Sequence, residues 1–331
     1  MAATIMDICR ETGVSIATVS RVLNKSTHVL PETRAKVLAA IARLGYKPNA
    51  AARNLSARRS STLGVIFHQM TSGFYATVMS GLELEARGQG YHVLITLAHH
   101  ADPERTRYFD MLDEARVDGL IILDSTLDAA TIARLKSYGR PIVTIQKKPA
   151  DPELAAVSCA NEDAACAVVE HLLSLGRRDL LLVTGPAEAE DSNLRMEGCL
   201  RALRKHRLSP EKVRVICGKY SAHEALLAFR KHRKEKGLPQ AIFCFNDDMA
   251  LAIMKELRIT GVRVPDQVAV AGFDGLEYAD YTGLSTVQVP MMDLGREAVR
   301  LCVERLRNPA APARHVILPC PLVVRESSSP Q

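Results

Sequence analysis

The sequence predicts a small all-α head joined to a larger α/β body of two lobes, each a doubly wound parallel sheet, and three observations carry that reading. Charge is segregated: residues 1–60 hold ten Lys/Arg against three Asp/Glu, a net +7 in a chain whose total is +6, so the rest sums to about −1. The same segment shows short helical patterns punctuated by glycine. Beyond Leu63, short apolar runs alternate with helical stretches. With 331 residues and 47% hydrophobic content, the chain can bury a sizeable core divided among two or three domains.

In the head, Thr4 can cap a first helix with Asp7 three residues on, and Ile5, Ile8 and Cys9 give it an apolar stripe that stops at Thr12-Gly13. Gly13 supplies a turn. Ser15 can cap a second helix to about Leu23, with Val19, Val22 and Leu23 inward and Ile16, Ala17, Thr18 and Arg21 left toward the opposite side or the N-terminal end. Pro31 suits a first helical position. Val37, Leu38, Ile41 and Leu44 recur at helical spacing, and Gly45 follows as a C′ residue, giving a third helix.

Two helices joined by a tight glycine turn and braced by a third, in a basic segment, make a helix-turn-helix whose second helix can enter the DNA major groove. There Ile16 and Ala17 can meet thymine methyl groups, and Arg21 can offer parallel donors to guanine O6 and N7. Without DNA, Ile16 and Ala17 read as ordinary packing residues beside a cap. A plain basic tail is the other alternative, but tails lack this apolar periodicity. After the third helix, Pro48 can start a helix of eight or nine residues, a length marginal in water because nucleation is not repaid.

In the body, LGVIF, YHVLITLA, DGLIIL, PIVTI, DLLLVTG, VRVIC, AIFCF and VAVAGF are spaced as parallel strands buried by flanking helices. Their number and a break near Ala160 suggest two similar lobes, with the chain crossing back near Pro290 and again near Pro319. Open parallel sheets bind ligands beyond the carboxyl ends of their strands, so the cleft between lobes is the expected ligand site.

Several function classes lack their residues. No G-x-G-x-x-G follows a strand, no G-x-x-x-x-G-K-[ST] occurs, and no Ser or Cys sits in a G-x-S-x-G elbow, so neither nucleotide-phosphate chemistry nor an enzyme is expected. His99-His100 has no third ligand at metal spacing, and no metal or cofactor is expected. The eight cysteines (Cys9, Cys159, Cys166, Cys199, Cys217, Cys244, Cys302, Cys320) show no C-x-x-C pattern and read as reduced core thiols. The opening MAATIMDICRET shows no export signal and no segment approaches 18 uninterrupted apolar residues, so a cytoplasmic, membrane-free location is expected.

The stretch TIMDICRETGVSIATVSRVLN resembles the N-terminal signature of the LacI/GalR family of bacterial transcription regulators, T-I-x-D-[IV]-A-x-x-A-G-V-S-x-x-T-V-S-R-V-L-N. The likeness continues through PETRAKVLAAIARLGYKPNAAARNLSARRS and into the body, covering practically the entire chain. Cys9 and Thr12 stand in place of small alanines, and Leu30 where the family usually has a Ser cap, a loss of about 1 kcal/mol.

The resemblance implies a helix-turn-helix DNA-binding domain over 1–47, a hinge helix and linker over 48–61, and a periplasmic-binding-protein-like effector and dimerisation core over 62–331. Its N-lobe would comprise about 62–160 and 291–319, its C-lobe about 161–290 and 320–331. DNA contacts are implied for Thr4, Ser15, Ile16, Ala17, Thr18, Ser20, Arg21, Asn24 and His28. In the hinge they are implied for Asn49, Ala52, Arg53, Leu55 and Ser56, with Leu55 as a minor-groove wedge.

For the effector, DSNLRMEG resembles S-x-x-R-x-x-G and nominates Arg195; FCFNDDMALA nominates Asn246; VAVAGFD nominates Asp274. Phe74, Tyr75, Asn161 and Tyr220 complete the implied pocket, with SGFY replacing the family's usual N-P before the aromatics. Gln146-Lys147 stands where many members carry Asp-Arg. Arginine, asparagine, aspartate and aromatic faces suit a polyhydroxylated ring, so a sugar or sugar derivative is the first expectation; a sugar acid, sugar phosphate or non-sugar effector such as a purine stays open. Arg195 also has a plainer reading, pairing with Asp191 or Glu197 on a solvated face, and Asp274 could cap a turn.

The implied assembly is a homodimer on a pseudo-palindromic operator, since the closing LVVRESSSPQ has no leucine heptad. The 74–88 and 247–260 helices are its candidate dimer elements, and effector binding would change the angle between lobes. A different class, a cytoplasmic sugar-binding or sugar-modifying α/β protein, differs by turnover of sugar and by failure to bind operator fragments. Leu55→Ala is expected to weaken binding to a specific operator far more than binding to random DNA, measured by fluorescence anisotropy. Equal losses on both would defeat the wedge.

Overall fold

In the computed structural model the described residues are 3–23, 28–46, 60–68, 70, 72–98, 107–114, 116–124, 127–147, 151–210 and 213–329, with 107 and 108 described by backbone alone. They fall into two compact units, residues 1–60 and 61–331. Among the described residues no helix is long and apolar enough to cross a membrane.

The head contains α1 (Ile5–Thr12), α2 (Ile16–Leu23) and α3 (Pro31–Leu44). Thr4 N donates to Asp7 Oδ2 at 2.9 Å and Asp7 N to Thr4 Oγ1 at 3.4 Å, the reciprocal capping expected from the sequence. Gly13 closes α1 at φ 70°, a left-handed conformation that glycine adopts without a Cβ penalty. Thr12 is accommodated because its buried hydroxyl donates to Ile8 O at 2.6 Å. Leu30 supplies no cap bond, and Pro31 opens α3 in its place.

Ile8, Val19, Val22, Val37 and Ala40 form the core of the head. The expectation for Leu38 is corrected: it is 50% exposed. The inward stripe runs 37, 40, 41, 44, one turn apart, and residue 38 lies about 100° off it.

The first lobe of the body is built from β1 (Thr62–Phe67), α4 (Gly73–Gly88), β2 (His92–Leu97), α5 (Arg107–Asp113), β3 (Gly119–Leu123), α6 (Ala129–Lys136), β4 (Ile142–Ile145) and β5 (Ala155–Cys159). The second follows with α7 (Asn161–Ser174), β6 (Leu180–Thr184), α8 (Glu190–Lys205), β7 (Arg214–Cys217), α9 (Ala222–Lys236) and β8 (Ala241–Cys244). It continues with α10 (Asp247–Ile259), β9 (Ala269–Asp274), α11 (Glu277–Thr282) and β10 (Ser285–Gln288). The chain then returns through α12 (Met291–Arg307) and β11 (His315–Leu318) before closing with β12 (Leu322–Val323).

Two six-stranded sheets result, ordered β11-β5-β4-β3-β1-β2 and β12-β10-β9-β8-β6-β7, and only the β10–β12 pair is antiparallel. Central strands β3, β4, β5, β8 and β9 are buried along their whole length, whereas the edge strands β2, β7 and β11 are half exposed. That is the pattern of a parallel sheet covered on both faces by helices. Cys217 sits at the end of edge strand β7 and is exposed, which corrects its reading as a core thiol.

The chain passes between sheets three times: at Ala160 after β5, at Val289-Pro290 after β10, and at Pro319-Cys320-Pro321 between β11 and β12. The closing residues are packed in. Ser327 and Ser328 are buried, Ser285 N donates to Ser327 Oγ at 2.8 Å, and Val270 N donates to Ser327 O at 2.8 Å.

Two local devices hold the second lobe. At Gly198 a Cβ would stand 2.1 Å from Glu162 O, so α8 lies directly against the first turn of α7. At the N-terminus of α10, Asp247 Oδ2 accepts from Gly275 N and Leu276 N, both at 2.9 Å, and Oδ1 accepts from Thr286 Oγ1 at 2.6 Å, fixing the turn that follows β9. Burial nonetheless raises the Asp247 carboxyl to about 7 against the pull of those three donors.

Gly198→Ala is expected to destabilise the body by about 1–3 kcal/mol, since backbone must shift to admit the methyl group. Thermal unfolding reads this as roughly 2–4 °C lost per kcal/mol for a domain of this size. For Asp247 the folded value of about 7 lies above the ordinary 3.8, so the folded chain holds a proton that the unfolded chain has released between those values. Its contribution is full below that window and declines as pH rises through it. The melting-temperature excess of wild type over Asp247→Asn is expected to narrow across the window, and a constant difference would contradict a proton-holding carboxyl.

Candidate DNA-binding and effector sites

On α2, Ser15 Oγ accepts from Thr18 N at 3.2 Å and lies 3.0 Å from the Thr18 hydroxyl, so the two expected contact residues form the cap. Val19 and Val22 are buried, which turns the other side of the helix outward: Ile16 is 49% exposed, and Ala17 and Arg21 are exposed. Ala17 and Arg21 are one turn apart and share a face. Ser20 is half-buried on the same helix, Thr4 is exposed in its capping box, and His28 is exposed in the turn before α3. Arg10 and Arg43 are held by Asp7 and Glu11. Asn24, Asn49, Ala52, Arg53, Leu55 and Ser56, together with the hinge helix expected from Pro48, lie outside the described residues.

In the body, the expected effector residues gather where the chain passes between sheets. Arg195 lies on α8, one turn before Gly198, and the close approach at that glycine brings it to the start of α7. Arg195 Nε donates to Asn161 Oδ1 at 2.9 Å, Nη1 donates to Phe245 O, and Nη2 stands 3.5 Å from Asp191 Oδ2. Its guanidinium carbon lies 3.7 Å from the Phe273 ring centroid and 5.7 Å from that of Tyr220. Arg195 is 3% exposed. The pairing with Asp191 is therefore real, but it is buried and not on a solvated face. Burial works against this charge, and Tyr220, Asp191 and Asp274 outweigh it, raising the guanidinium above its ordinary range.

Tyr220 donates through its hydroxyl to Asp191 Oδ2 at 2.8 Å, and its ring lies over Gly185, where a Cβ would meet it at 2.4 Å. Burial, then the Asp191 charge, pushes its phenol well up. Asp191 Oδ1 is buried and has no hydrogen-bond partner. Asp274, buried at the end of β9 with φ 125°, has a carboxyl raised well above the usual range by burial, although Arg195 pulls it down. Gln146 at φ 61° and Tyr220 at φ 57° likewise hold left-handed backbone. Such conformations cost about 1–3 kcal/mol each and concentrate at functional sites.

The other expected residues differ in how free they are. Asn246 caps α10, its Oδ1 accepting from Met249 N at 3.0 Å and its Nδ2 donating to Tyr220 O at 3.2 Å, so both ends of its amide have protein partners. Gln146 is committed across the lobes: its Nε2 donates to Cys159 Sγ at 2.8 Å, and its Oε1 accepts from Cys159 N at 3.2 Å and Asn161 Nδ2 at 3.4 Å. Lys147 is half-buried, with its carbonyl accepting from Thr144 Oγ1 at 2.7 Å. Phe74 and Tyr75 open α4 edge to face at 5.4 Å, and Gly73 beside them would bring a Cβ within 3.2 Å of Leu276 of the second lobe.

Sequence reasoning did not assign Asp191, Phe273, Cys159 or Cys320 to this neighbourhood. Asp191 was signalled by its i,i+4 spacing to Arg195; Phe273 was hidden inside a strand run, and the cysteines carried no motif.

Comparison with known proteins gives a consistent result. The family pattern described as bacterial regulatory proteins, lacI family, matches residues 4–49, and that of the periplasmic binding protein-like domain matches residues 169–328. The HTH-type transcriptional repressor PurR of Photobacterium profundum is 31% identical over 328 residues, covering 98% of each chain. Catabolite control protein A of Priestia megaterium is 30% identical over 331 residues, covering 99% of this chain and 100% of that one. Among solved structures, the lac repressor dimer bound to operator and the anti-inducer ONPF matches with TM-score 0.89 at 28% identity over 99% of both chains. The transcriptional regulator CelR in its cellobiose complex matches with TM-score 0.75 at 27% identity, over 98% of this chain and 99% of that one. A capped, basic helix-turn-helix before a two-lobed parallel-sheet body, matched end to end by such relatives, places the chain in the LacI family of bacterial transcription regulators.

Proposed function

We propose that this regulator senses a small polyhydroxylated effector, a sugar or sugar derivative, held between its lobes by Arg195, Asp191, Asp274 and Tyr220. The observation that carries the reading is the orphaned Asp191 Oδ1, a buried acceptor beside an arginine and a tyrosine. Buried carboxylate oxygens are rarely left unpaired, and a ligand hydroxyl is the donor that would complete this one. Phe74, Tyr75 and Tyr220 supply aromatic faces for sugar C–H groups. The cellobiose bound by CelR is a precedent of the same chemical class. A second reading, a purine, draws on the raised carboxyl of Asp274: held protonated, it offers a donor and an acceptor side by side to a heterocycle edge.

The working parts proposed are a DNA-reading head over 1–47, a hinge over 48–61 that orders on operator DNA, and a two-lobed sensor over 62–331. Two chains pair so that two heads meet a pseudo-palindromic site, and the sensor alters the spacing of the hinges without chemical turnover. The regulator works in the cytoplasm, at the nucleoid when bound. As in the reading from sequence, Ser15, Ile16, Ala17, Ser20 and Arg21 face DNA.

A thermal-shift screen of the full-length protein against sugars, sugar acids, sugar phosphates and purines tests the effector. Ligand at a hundredfold excess over Kd stabilises by about 2.7 kcal/mol. Asp191→Asn and Asp274→Asn are each expected to reduce the shift at least tenfold in ligand concentration while leaving affinity for a selected DNA fragment within twofold, values on the order expected for one lost charge-assisted hydrogen bond. An unchanged shift in both variants would remove the pocket assignment.

A further inference from the structure

Two of the passages between lobes meet through sulfur. Cys159 is the last residue of β5, where the chain first leaves the first lobe, and Cys320 lies in Pro319-Cys320-Pro321, where it leaves for the last time. β5 and β11 are parallel, with Cys159 opposite Leu318. Ala160 N donates to Leu318 O at 2.9 Å, and the Cys320 thiol lies 3.5 Å from the same carbonyl. The Cys159 and Cys320 side chains are hydrogen-bonded to each other. Two flanking prolines fix φ on either side of Cys320 and restrict the residues before them, so this contact is built into a stiff segment.

We propose that Cys159 and Cys320 are a peroxide-oxidisable dithiol that closes into a disulfide across two of the three interlobe passages, tying the arrangement of the lobes to redox state. The roles of the two sulfurs differ. The Cys320 thiol is lowered by the hydrogen bond from Cys159, and Ala160 N–H and the Arg195 charge add to this; the Cys159 thiol is raised by the same hydrogen bond and by burial. Cys320 is thus the attacking sulfur. Its thiolate forms an S–O bond to hydrogen peroxide as the O–O bond breaks and hydroxide leaves as water, giving a sulfenic acid. Cys159 then attacks that sulfur through its thiolate, forming the S–S bond and releasing a second water. Two thiols lose two electrons, and peroxide is reduced to two waters.

The consequence reaches the effector site, because Cys159 Sγ is the atom to which Gln146 Nε2 donates, and Asn161 beside it holds Arg195. A bond between the first and third passages pins them together and opposes the lobe rotation that effector binding requires. That consequence for DNA affinity rests on the proposed allosteric function, whereas the disulfide does not.

The test uses reduced full-length protein treated with hydrogen peroxide, then alkylated and digested without reductant for mass spectrometry. The expected product is a Cys159–Cys320 peptide that dithiothreitol reverses. Dimedone should label Cys320 in the Cys159→Ser variant, and the melting temperature should rise on oxidation of wild type but not of Cys159→Ser or Cys320→Ser. A Cys166–Cys199 linkage, modification confined to exposed Cys217, or over-oxidised Cys320 without linkage overturns the dithiol, and wild-type mapping decides this even if a variant fails to fold. Affinity for a DNA fragment selected from a random pool, with and without the best hit of the effector screen, reads the coupling: loss of the effector response in the linked protein supports it, and an unchanged response overturns it while the mapped disulfide stands.

Discussion

A guanidinium buried to 3% exposure organises the centre of the body. Isolated, such a charge would be prohibitively unfavourable away from water, and removing one partner of a buried pair is strongly destabilising. Arg195 is tolerable because elements distant in sequence converge on it: the Asn161 amide, the Phe245 carbonyl, the Asp191 carboxylate and the Phe273 ring. Each partner comes from the second lobe, but Asn161 in turn donates to Gln146 of the first. The requirement to solvate one cation with protein therefore fixes α7, α8, β8 and β9 against one another and carries their positions across the cleft.

Gly198 shows how this constraint was legible in the chain. The spacing R-x-x-G marked Arg195 as a site residue; its physical meaning is that a helix carrying the cation must approach the N-terminus of α7 with no side chain between them. The head was readable for a similar reason, since Thr4, Gly13, Ser15, Pro31 and Gly45 act locally through backbone hydrogen bonds and allowed dihedrals. Leu38 was misread because a run of apolar residues does not announce which of two adjacent positions lies on the stripe. At the pocket, local patterns nominated residues but not their commitments. Nothing in the sequence indicates that Gln146 binds the Cys159 sulfur, or that Asn246 is satisfied by Met249 and Tyr220, because those contacts span 13 or more positions or lie in the folding of a cap.

The two units divide their physical tasks by composition. The head concentrates positive charge and keeps a core of only a few small and branched residues, enough to hold three helices while leaving Ile16, Ala17 and Arg21 outside. The body is nearly neutral and buries its ionic groups inside networks. Long-range attraction to a polyanion thus belongs to one unit and short-range recognition of a polar molecule to the other.

The route of the chain has a further consequence for how the molecule is made. Strand β11 completes the first sheet and β12 the second, and the buried Ser327 and Ser328 lie within a few residues of the C-terminus. A nascent polypeptide emerging from the ribosome therefore cannot finish either lobe in turn; both wait, with edges and helix faces uncovered, for the same final stretch of synthesis. Early termination would leave two unfinished sheets in place of one intact lobe and one missing, which makes the tail a point of quality control for the whole body.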